Sequence, residues 1–168
     1  MKEKIEIGAI GIIHTPFRTV EDRVPIQGRM HRESEGTVHL FEEYRNGLKD
    51  LEGFSHIFLV YYFDRSDTVM LRARPYADRE EHGIFAIRSP HRPNHIGLTL
   101  VELVAVENAI VRVRGVDMLD GTPLLDIKPY NPLFDSAAEV RTGWMENLES
   151  TGSFNKKLGD REEWLHKK

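Results

Sequence analysis

The stretch 84–97, IFAIRSPHRPNHIG, concentrates side chains that could bind an anionic or polar ligand. Its first residues form an apolar run that predicts a strand, and a loop containing Pro90 and Pro93 follows. The loop carries cations, an amide and a hydroxyl: Arg88, Ser89, His91, Arg92, Asn94 and His95. Each proline biases the residue before it away from helical angles, so we expect an extended, rigid loop. Rigid placement of polar groups favours a binding site over a merely solvated basic loop.

A second polar stretch, DMLDGTPLLDIKPY, spans residues 117–130. The sequence from Asp120 to Pro123 is a strong turn signal, and a short apolar run follows it. Its carboxylates, its lysine and its tyrosine could position a polar cofactor and a substrate. A carboxylate or the phenol could also remove a proton where the reaction requires it.

Several common kinds of site lack their signatures in this sequence. The glycine-rich motifs of dinucleotide sites and P-loops are missing, as are HExxH and GxSxG. The chain has no cysteine, so thiolate catalysis, zinc-thiolate sites and disulfides are excluded. His91 and His95 offer only two possible metal ligands, and Ser89 has no obvious base beside it. We therefore expect no metal and no serine nucleophile.

Length and charge limit the class of protein. A chain of 168 residues, 40% hydrophobic and 30% charged, is long enough for one compact domain with a real core. Its net charge of -4 argues against coating nucleic acid through bulk charge but leaves room for a local basic patch. Apolar runs are too short to span a membrane, and Glu6 and Gly8 interrupt the N-terminal one. We expect a cytoplasmic protein.

Short β-strands dominate the predicted elements. Strand-like runs cover residues 5–13, 36–41, 55–63, 98–106 and 109–116, and Glu107-Asn108 predicts a hairpin turn between the last two. The continuous apolar run 55–63 predicts a strand buried on both faces, and the alternation in 110–114 places Arg112 and Arg114 opposite Val111 and Val113. Residues 18–35 predict a long surface loop, 72–82 a polar connection and 42–51 a short helix. Two further helices are predicted at 136–147 and 160–168.

Strands joined by short turns predict a mainly β fold, and a doubly wound parallel sheet is unsupported. A small closed or strongly curved β-barrel with short helical additions and a C-terminal helical tail fits the pattern best.

Three blocks of the sequence resemble the signature segments of the TrmO-type, or TsaA-like, family. They are EGFSHIFLVYYFDRSD at 52–67, HGIFAIRSPHRPNHIGLTLVEL at 82–103 and DMLDGTPLLDIKPYNPLFD at 117–135. The opening IGAIGIIHTPF resembles the family's first strand and turn, so the likeness runs from residue 7 to 135. The characterised members are tRNA adenine methyltransferases. The resemblance implies a TsaA-like single-sheet β-barrel domain over 1–135. The helical propensity after Asp135 predicts a C-terminal helical extension over 136–168.

The resemblance also implies a reaction and partners. We expect a homodimer that binds S-adenosyl-L-methionine near its subunit interface. The implied reaction methylates the exocyclic N6 amine of threonylcarbamoyladenosine, next to the anticodon of a threonine tRNA. Methyl transfer from a sulfonium requires mainly alignment and exclusion of water.

The cofactor residues follow from the resemblance position by position, whereas the RNA-side and catalytic residues are assigned from their chemistry. The implied cofactor residues are Pro25, Ile26, Gln27, Asp64, Arg65, Arg88, Leu98, Asp117, Leu119, Asp120, Gly121 and Thr122. Arg92 and Asn94 are expected on the RNA side, where Lys128 and Tyr130 would also contribute. Catalysis is assigned to Asp126, Tyr130 and Lys128, with Asp126 or Tyr130 as the candidate base.

Departures from the family pattern leave alternatives open. Many relatives have arginine at the position of Ile26, and His-Gln at the positions of Asp64 and Arg65. Longer relatives carry a separate C-terminal domain that residues 136–168 are too few to match. One alternative is therefore a module that binds S-adenosyl-L-methionine or RNA without methyl transfer. Another is hydrolysis of a phosphorylated small molecule by the loop around Arg88 and His91.

Overall fold

A computed structural model describes residues 4–146 and Leu148. These residues form two compact units, which we describe separately. The barrel unit contains residues 4–66 and 95–130, and the second unit contains 67–94, 131–146 and Leu148. The predicted helix at 160–168 lies outside the described residues. No described helix has the length and apolar character needed to cross a membrane.

Eight strands occur in the described residues. In chain order they are β1 Gly11–His14, β2 Glu35–Leu40, β3 His56–Tyr62, β4 Arg72–Ala73, β5 His82–Gly83, β6 Ile96–Glu107, β7 Ile110–Arg114 and β8 Thr122–Pro129. Six of them close into a barrel in the order β1-β2-β7-β6-β3-β8, with antiparallel neighbours throughout. The predicted mainly β fold with a small barrel is confirmed.

The barrel interior is filled by alternating apolar side chains of its strands. Residues exposed by 1% or less include Ile13, Val38, Ile57, Leu59, Val101, Val111, Val113 and Leu124. Burying each such side chain stabilises the fold by about 1.5–3 kcal/mol. Register shifts at Val60/Tyr61 and Leu103/Ala105 mark bulges, which add the bend that a small closed sheet needs.

Closure of the sheet explains one difference from the sequence prediction. The run 55–63 is continuous and apolar, but β3 alternates between fully buried and half-buried or exposed residues. Ile57, Leu59 and Tyr61 point into the barrel, whereas Phe58, Val60 and Tyr62 lie on its outer face. The predicted burial of both faces is therefore wrong for the described protein. The prediction for β7 is confirmed, since Arg112 and Arg114 are exposed opposite Val111 and Val113.

Short helical turns and long loops connect the strands of the barrel unit. The helix predicted at 42–51 forms as the 3-10 helix Glu42–Leu48, and another turn follows at Leu51–Gly53. Residues 18–34 form the expected long loop, with one 3-10 turn at Gly28–Met30. We call one end of the barrel the upper end. Strands β1, β3 and β7 end there, and strands β2, β6 and β8 begin there.

The second unit contains a two-stranded sheet and short turns. Strands β4 and β5 pair within the predicted polar connection, and the apolar run after β5 forms a 3-10 turn, Ile84–Ala86. The strand predicted for this run is wrong. A short apolar run fits a strand and a helical turn equally well, so its sequence alone does not determine which of the two forms. The helix predicted at 136–147 is wrong for residues 136–142, which are irregular; the 3-10 turn Gly143–Met145 and the helical residue Glu146 follow them. The α-helix α1 is Pro132–Asp135, with Asn131 as its N-cap.

Candidate functional site

The upper end of the barrel brings together several predicted site residues that are distant in sequence. The segment 115–122 contacts the end of β1 and the turn after it, the loop containing Gly28, and the residues after β3. Except for the loop containing Gly28, each of these segments adjoins the end of a barrel strand, so the closed sheet fixes its position. The site therefore forms only when the barrel strands pair, and no single sequence motif contains it.

Asp120 is held at this end by the turn after β1. Its Oδ1 accepts hydrogen bonds from the Thr15 N–H and the His14 ring, both at 3.1 Å. Burial alone would raise the pKa of Asp120, but the bonds from Thr15 and His14 and the nearby charges lower it below its ordinary value. The side chain is 38% exposed, so an ionised carboxylate faces solvent at the upper end. Such a group can bind hydroxyls or an ammonium.

Asp117 serves a different structural purpose. Its Oδ2 accepts a 2.8 Å bond from the Gly28 N–H, and its Oδ1 accepts bonds from Thr99 at 2.6 Å and Tyr61 at 3.4 Å. Thr99 and Tyr61 are buried and also bond to each other at 3.1 Å. The carboxylate thus ties the Gly28 loop to β3 and β6, and its predicted cofactor contact stays a prediction.

The turn that begins β8 is fixed by backbone bonds and by Arg65. Gly121 has φ +80°, donates to the Ile13 carbonyl at 2.9 Å, and leaves room for the Arg65 guanidinium, which donates to the Asp120 carbonyl. Arg65 also lies 3.8 Å from the Asp64 carboxylate. The hydroxyl of Thr122, a buried residue, caps the Leu119 carbonyl at 2.7 Å. The predicted residues 64–65 and 119–122 therefore meet in space.

The early loop and Leu98 occupy different environments. Pro25 is buried, whereas Ile26 and Gln27 are half-buried next to the anchored Gly28. The Gln27 amide donates to the Ile26 carbonyl at 2.9 Å. Leu98 lies on the outer face of β6, opposite Val60, and its side chain is 49% exposed.

The predicted catalytic residues lie in the second half of β8 and directly after it, away from the upper end. Asp126 and Lys128 are on the outer face, opposite Val60 and Phe58, and their side chains form a 2.8 Å ion pair. The hydrogen bond and the charge of Asp126 raise the pKa of Lys128. The Tyr130 ring packs edge-on to Phe58, at 5.8 Å between centroids. At about 3.3 Å per residue, Asp126 lies roughly 13 Å along the strand from Thr122.

Arg88, Arg92 and Asn94 belong to the second unit. Arg88 is exposed, and the Arg92 guanidinium donates to the carbonyls of Ile84 and Ile87 at 3.1 and 3.2 Å. Asn94 has φ 66°, which an Asn tolerates better than most residues. Their assigned contacts with cofactor and RNA stay predictions.

Sequence reasoning missed several residues that build this end of the barrel. Tyr61 and Thr99 looked like strand residues, and His14 and Thr15 like a simple turn. Only the pairing of distant strands brings them to Asp117 and Asp120, so no local signal could have found them. Among residues 4–146 and Leu148, no group of three His, Asp or Glu side chains could hold a metal ion.

Comparison with known proteins gives consistent likenesses. Residues 12–136 match the family described as the tRNA-methyltransferase O N-terminal domain. A probable S-adenosyl-L-methionine-binding protein of Pyrococcus abyssi is 54% identical over 137 residues, covering 82% of this chain and 74% of that protein. The tRNA (adenine(37)-N6)-methyltransferase of Mus musculus is 44% identical over 101 residues, covering 58% of this chain and 23% of the mouse protein.

Solved structures extend the likeness to the fold. A crystal structure of TrmO from Pseudomonas aeruginosa superposes with a TM-score of 0.73 and 27% identity. The match covers 94% of this chain and 82% of that one. The described chain thus shares sequence and architecture with this group of proteins.

Proposed function

Because the chain belongs to the tRNA-methyltransferase O family, we propose that it is an S-adenosyl-L-methionine-dependent methyltransferase acting on N6 of adenine 37 in tRNA. The observation that carries the proposal is the family match over residues 12–136, which spans all six barrel strands except the first residue of β1. The mouse relative is much longer than this chain, which spans 23% of it. The activity is therefore our proposal for this protein.

Side chains at the upper end of the barrel fit S-adenosyl-L-methionine. The Asp120 carboxylate is ionised, partly exposed and fixed by Thr15 and His14, so it can accept bonds from ribose hydroxyls or from an ammonium. Gln27 lies beside the anchored Gly28 and adds an amide to the same end. When bound, S-adenosyl-L-methionine supplies an electrophilic methyl group. The residues of this chain orient it and exclude water.

The substrate is proposed to be threonylcarbamoyladenosine in a threonine tRNA. A carbamoylated amine is a poor nucleophile, so a base that accepts the N6 proton assists methylation. Asp126 is our candidate for this base, and its carboxylate lies on the outer face of β8, 2.8 Å from the Lys128 ammonium. Tyr130 is the second candidate, because its phenol lies close to the same strand end.

We further propose that the protein acts as a homodimer in the cytoplasm, where tRNA is modified. The outer face of β3 and β6 supports the dimer, because it exposes large apolar side chains. These are Tyr62, Ile96, Leu98 and Val104, each between 38% and 49% exposed. Tyr62, Ile96 and Leu98 lie close together at the upper end of the β3–β6 pair, and contiguous exposed apolar surface favours a protein contact. Asp126 lies on the adjoining outer face of β8.

A second candidate function is binding of S-adenosyl-L-methionine without methyl transfer. It is favoured by the names of relatives such as the Pyrococcus abyssi protein, which mention binding only. Both functions predict saturable cofactor binding. Only the enzyme converts S-adenosyl-L-methionine to S-adenosylhomocysteine when tRNA is present, so measuring that product with and without tRNA separates them.

Calorimetric titration with S-adenosyl-L-methionine tests the shared premise. We expect one site per chain, weakened at least about tenfold in Asp120→Asn because one charged contact is lost. Asp22→Asn, in an exposed turn of the early loop, is the matched control and should bind like the wild type. Absence of binding to the wild-type protein up to millimolar ligand would contradict both functions.

A further inference from the structure

The loop containing Arg29 and Arg32 is anchored firmly at the upper end of the barrel. Its Gly28 N–H donates to Asp117, and a Cβ atom at Gly28 would overlap the Gly115 carbonyl oxygen, so the two backbones touch. At the other end of the loop, the Ser34 hydroxyl donates to the Val116 carbonyl at 2.9 Å. The two arginines are therefore exposed on a loop whose ends are both fixed beside Asp117.

The two acidic residues that follow these arginines in the chain, Glu33 in the loop and Glu35 in β2, have other partners. Glu33 lies 3.5 Å from His31, and Glu35 pairs with Arg114 at 2.9 Å. Within the described part of the chain, no carboxylate forms an ion pair with Arg29 or Arg32. Both charges are thus uncompensated on a protein whose net charge is -4.

Several other cations of the barrel unit are neutralised by close partners. Arg45 pairs with Glu42 at 3.0 Å, Arg112 with Glu107 at 3.4 Å, and Lys128 with Asp126 at 2.8 Å. Lys128 was expected to contact RNA, but its ion pair with Asp126 would have to be exchanged for one with phosphate. Arg29 and Arg32 can bind an anion without breaking an ion pair.

We propose that Arg29 and Arg32 bind the phosphate backbone of the substrate tRNA beside the nucleotide that is methylated. The proposal rests on the proposed function, since it assigns the RNA contact of the same site. Guanidinium groups bind phosphate oxygens through two parallel hydrogen bonds and position the nucleic acid without reading its sequence. The fixed loop places both groups at the end of the barrel that carries Asp120.

Equilibrium binding of a fluorescently labelled threonine tRNA tests the proposal. The Arg29→Gln/Arg32→Gln double variant removes both charges and leaves the Gly28 and Ser34 anchors intact. The Arg45→Gln/Lys49→Gln double variant removes two charges from the 3-10 helix region at the lower end and is the matched control. Each protein is titrated at several salt concentrations, and its affinity for S-adenosyl-L-methionine is measured in parallel.

If the proposal is right, the Arg29/Arg32 variant binds tRNA roughly 10- to 50-fold more weakly at low salt, and its salt slope falls by about 1.5, as expected for two lost phosphate contacts. Cofactor affinity and the behaviour of the control variant stay close to wild type. Wild-type affinity and salt slope in the Arg29/Arg32 variant would overturn the proposal, as would an equal loss in the control. A wild-type protein that binds the cofactor but no tRNA would overturn the proposed function itself.

Discussion

The backbone N–H of Gly28 donates a 2.8 Å hydrogen bond to Oδ2 of Asp117, across 89 residues of sequence. This bond joins the early loop to the segment that leads into β8, and Thr99 and Tyr61 occupy the other carboxylate oxygen. The shape of the upper end of the barrel therefore depends on Asp117, although its oxygens are already bound within the protein.

Replacing Asp117 with asparagine tests this dependence. The amide keeps one acceptor and presents an NH2 group where a second acceptor is required, so we expect a loss of about 1–3 kcal/mol in the free energy of unfolding. Urea denaturation measures the loss. Glu107→Gln, which breaks an exposed ion pair with Arg112, is the control and should cost less than about 1 kcal/mol. Equal effects of the two substitutions would show that Asp117 has no special structural role.

The pH dependence of stability follows from Asp120. Hydrogen bonds from Thr15 and His14 outweigh burial and depress the folded-state pKa below the ordinary value of 3.8. Because the carboxylate has a lower pKa in the folded state, its ionisation stabilises the fold at any pH above the unfolded-state pKa. This stabilisation is lost as the pH falls through the folded-state pKa. The difference in unfolding free energy between wild type and Asp120→Asn should therefore be largest near pH 5 and shrink below about pH 4. Denaturation from pH 2.5 to 5 measures it, and a difference that grows toward low pH would contradict this assignment.

The sequence predicted the barrel but only part of the site. Alternation from Val111 to Arg114 was a local signal and placed the arginines correctly outside. The Asp120-Gly121 turn was also predicted locally, and the φ of +80° at Gly121 explains why glycine is there. The contacts of Asp117 depend on strand pairing over 18 to 89 residues, which no local pattern encodes. The apolar run at 84–86 fits a strand or a helical turn, and it forms a helical turn in the folded protein.

The proposed homodimer makes a separate prediction. Ile96→Glu places a charge on the outer face of β6, where a second copy is proposed to pack, and burying that charge is unfavourable. We expect this variant to be a monomer in sedimentation equilibrium and the wild type a dimer. Ile110→Glu is the matched control, because Ile110 is similarly exposed on β7, and it should remain dimeric. A dimeric Ile96→Glu variant would exclude this face.

The second unit contains a stacked pair that can be tested alone. The His82 ring lies 4.4 Å from the Trp144 ring at 17° and its Nε2 is 3.0 Å from the Asp78 carboxylate. The Trp144 indole also donates to the Ala86 carbonyl at 2.9 Å. Trp144→Ala should loosen residues 67–94 and speed tryptic cleavage at the arginines there. Val140→Ala, at a 70% exposed position, should not change the cleavage rate.

Nucleoside mass spectrometry of threonine tRNA tests the central claim most directly. The tRNA is prepared with threonylcarbamoyladenosine at position 37 and incubated with the purified protein and isotopically labelled S-adenosyl-L-methionine. We predict one labelled methyl group on that nucleoside and a strongly reduced yield with Asp120→Asn. A protein that binds the cofactor but leaves this nucleoside and every other tRNA nucleoside unlabelled would contradict methyl transfer.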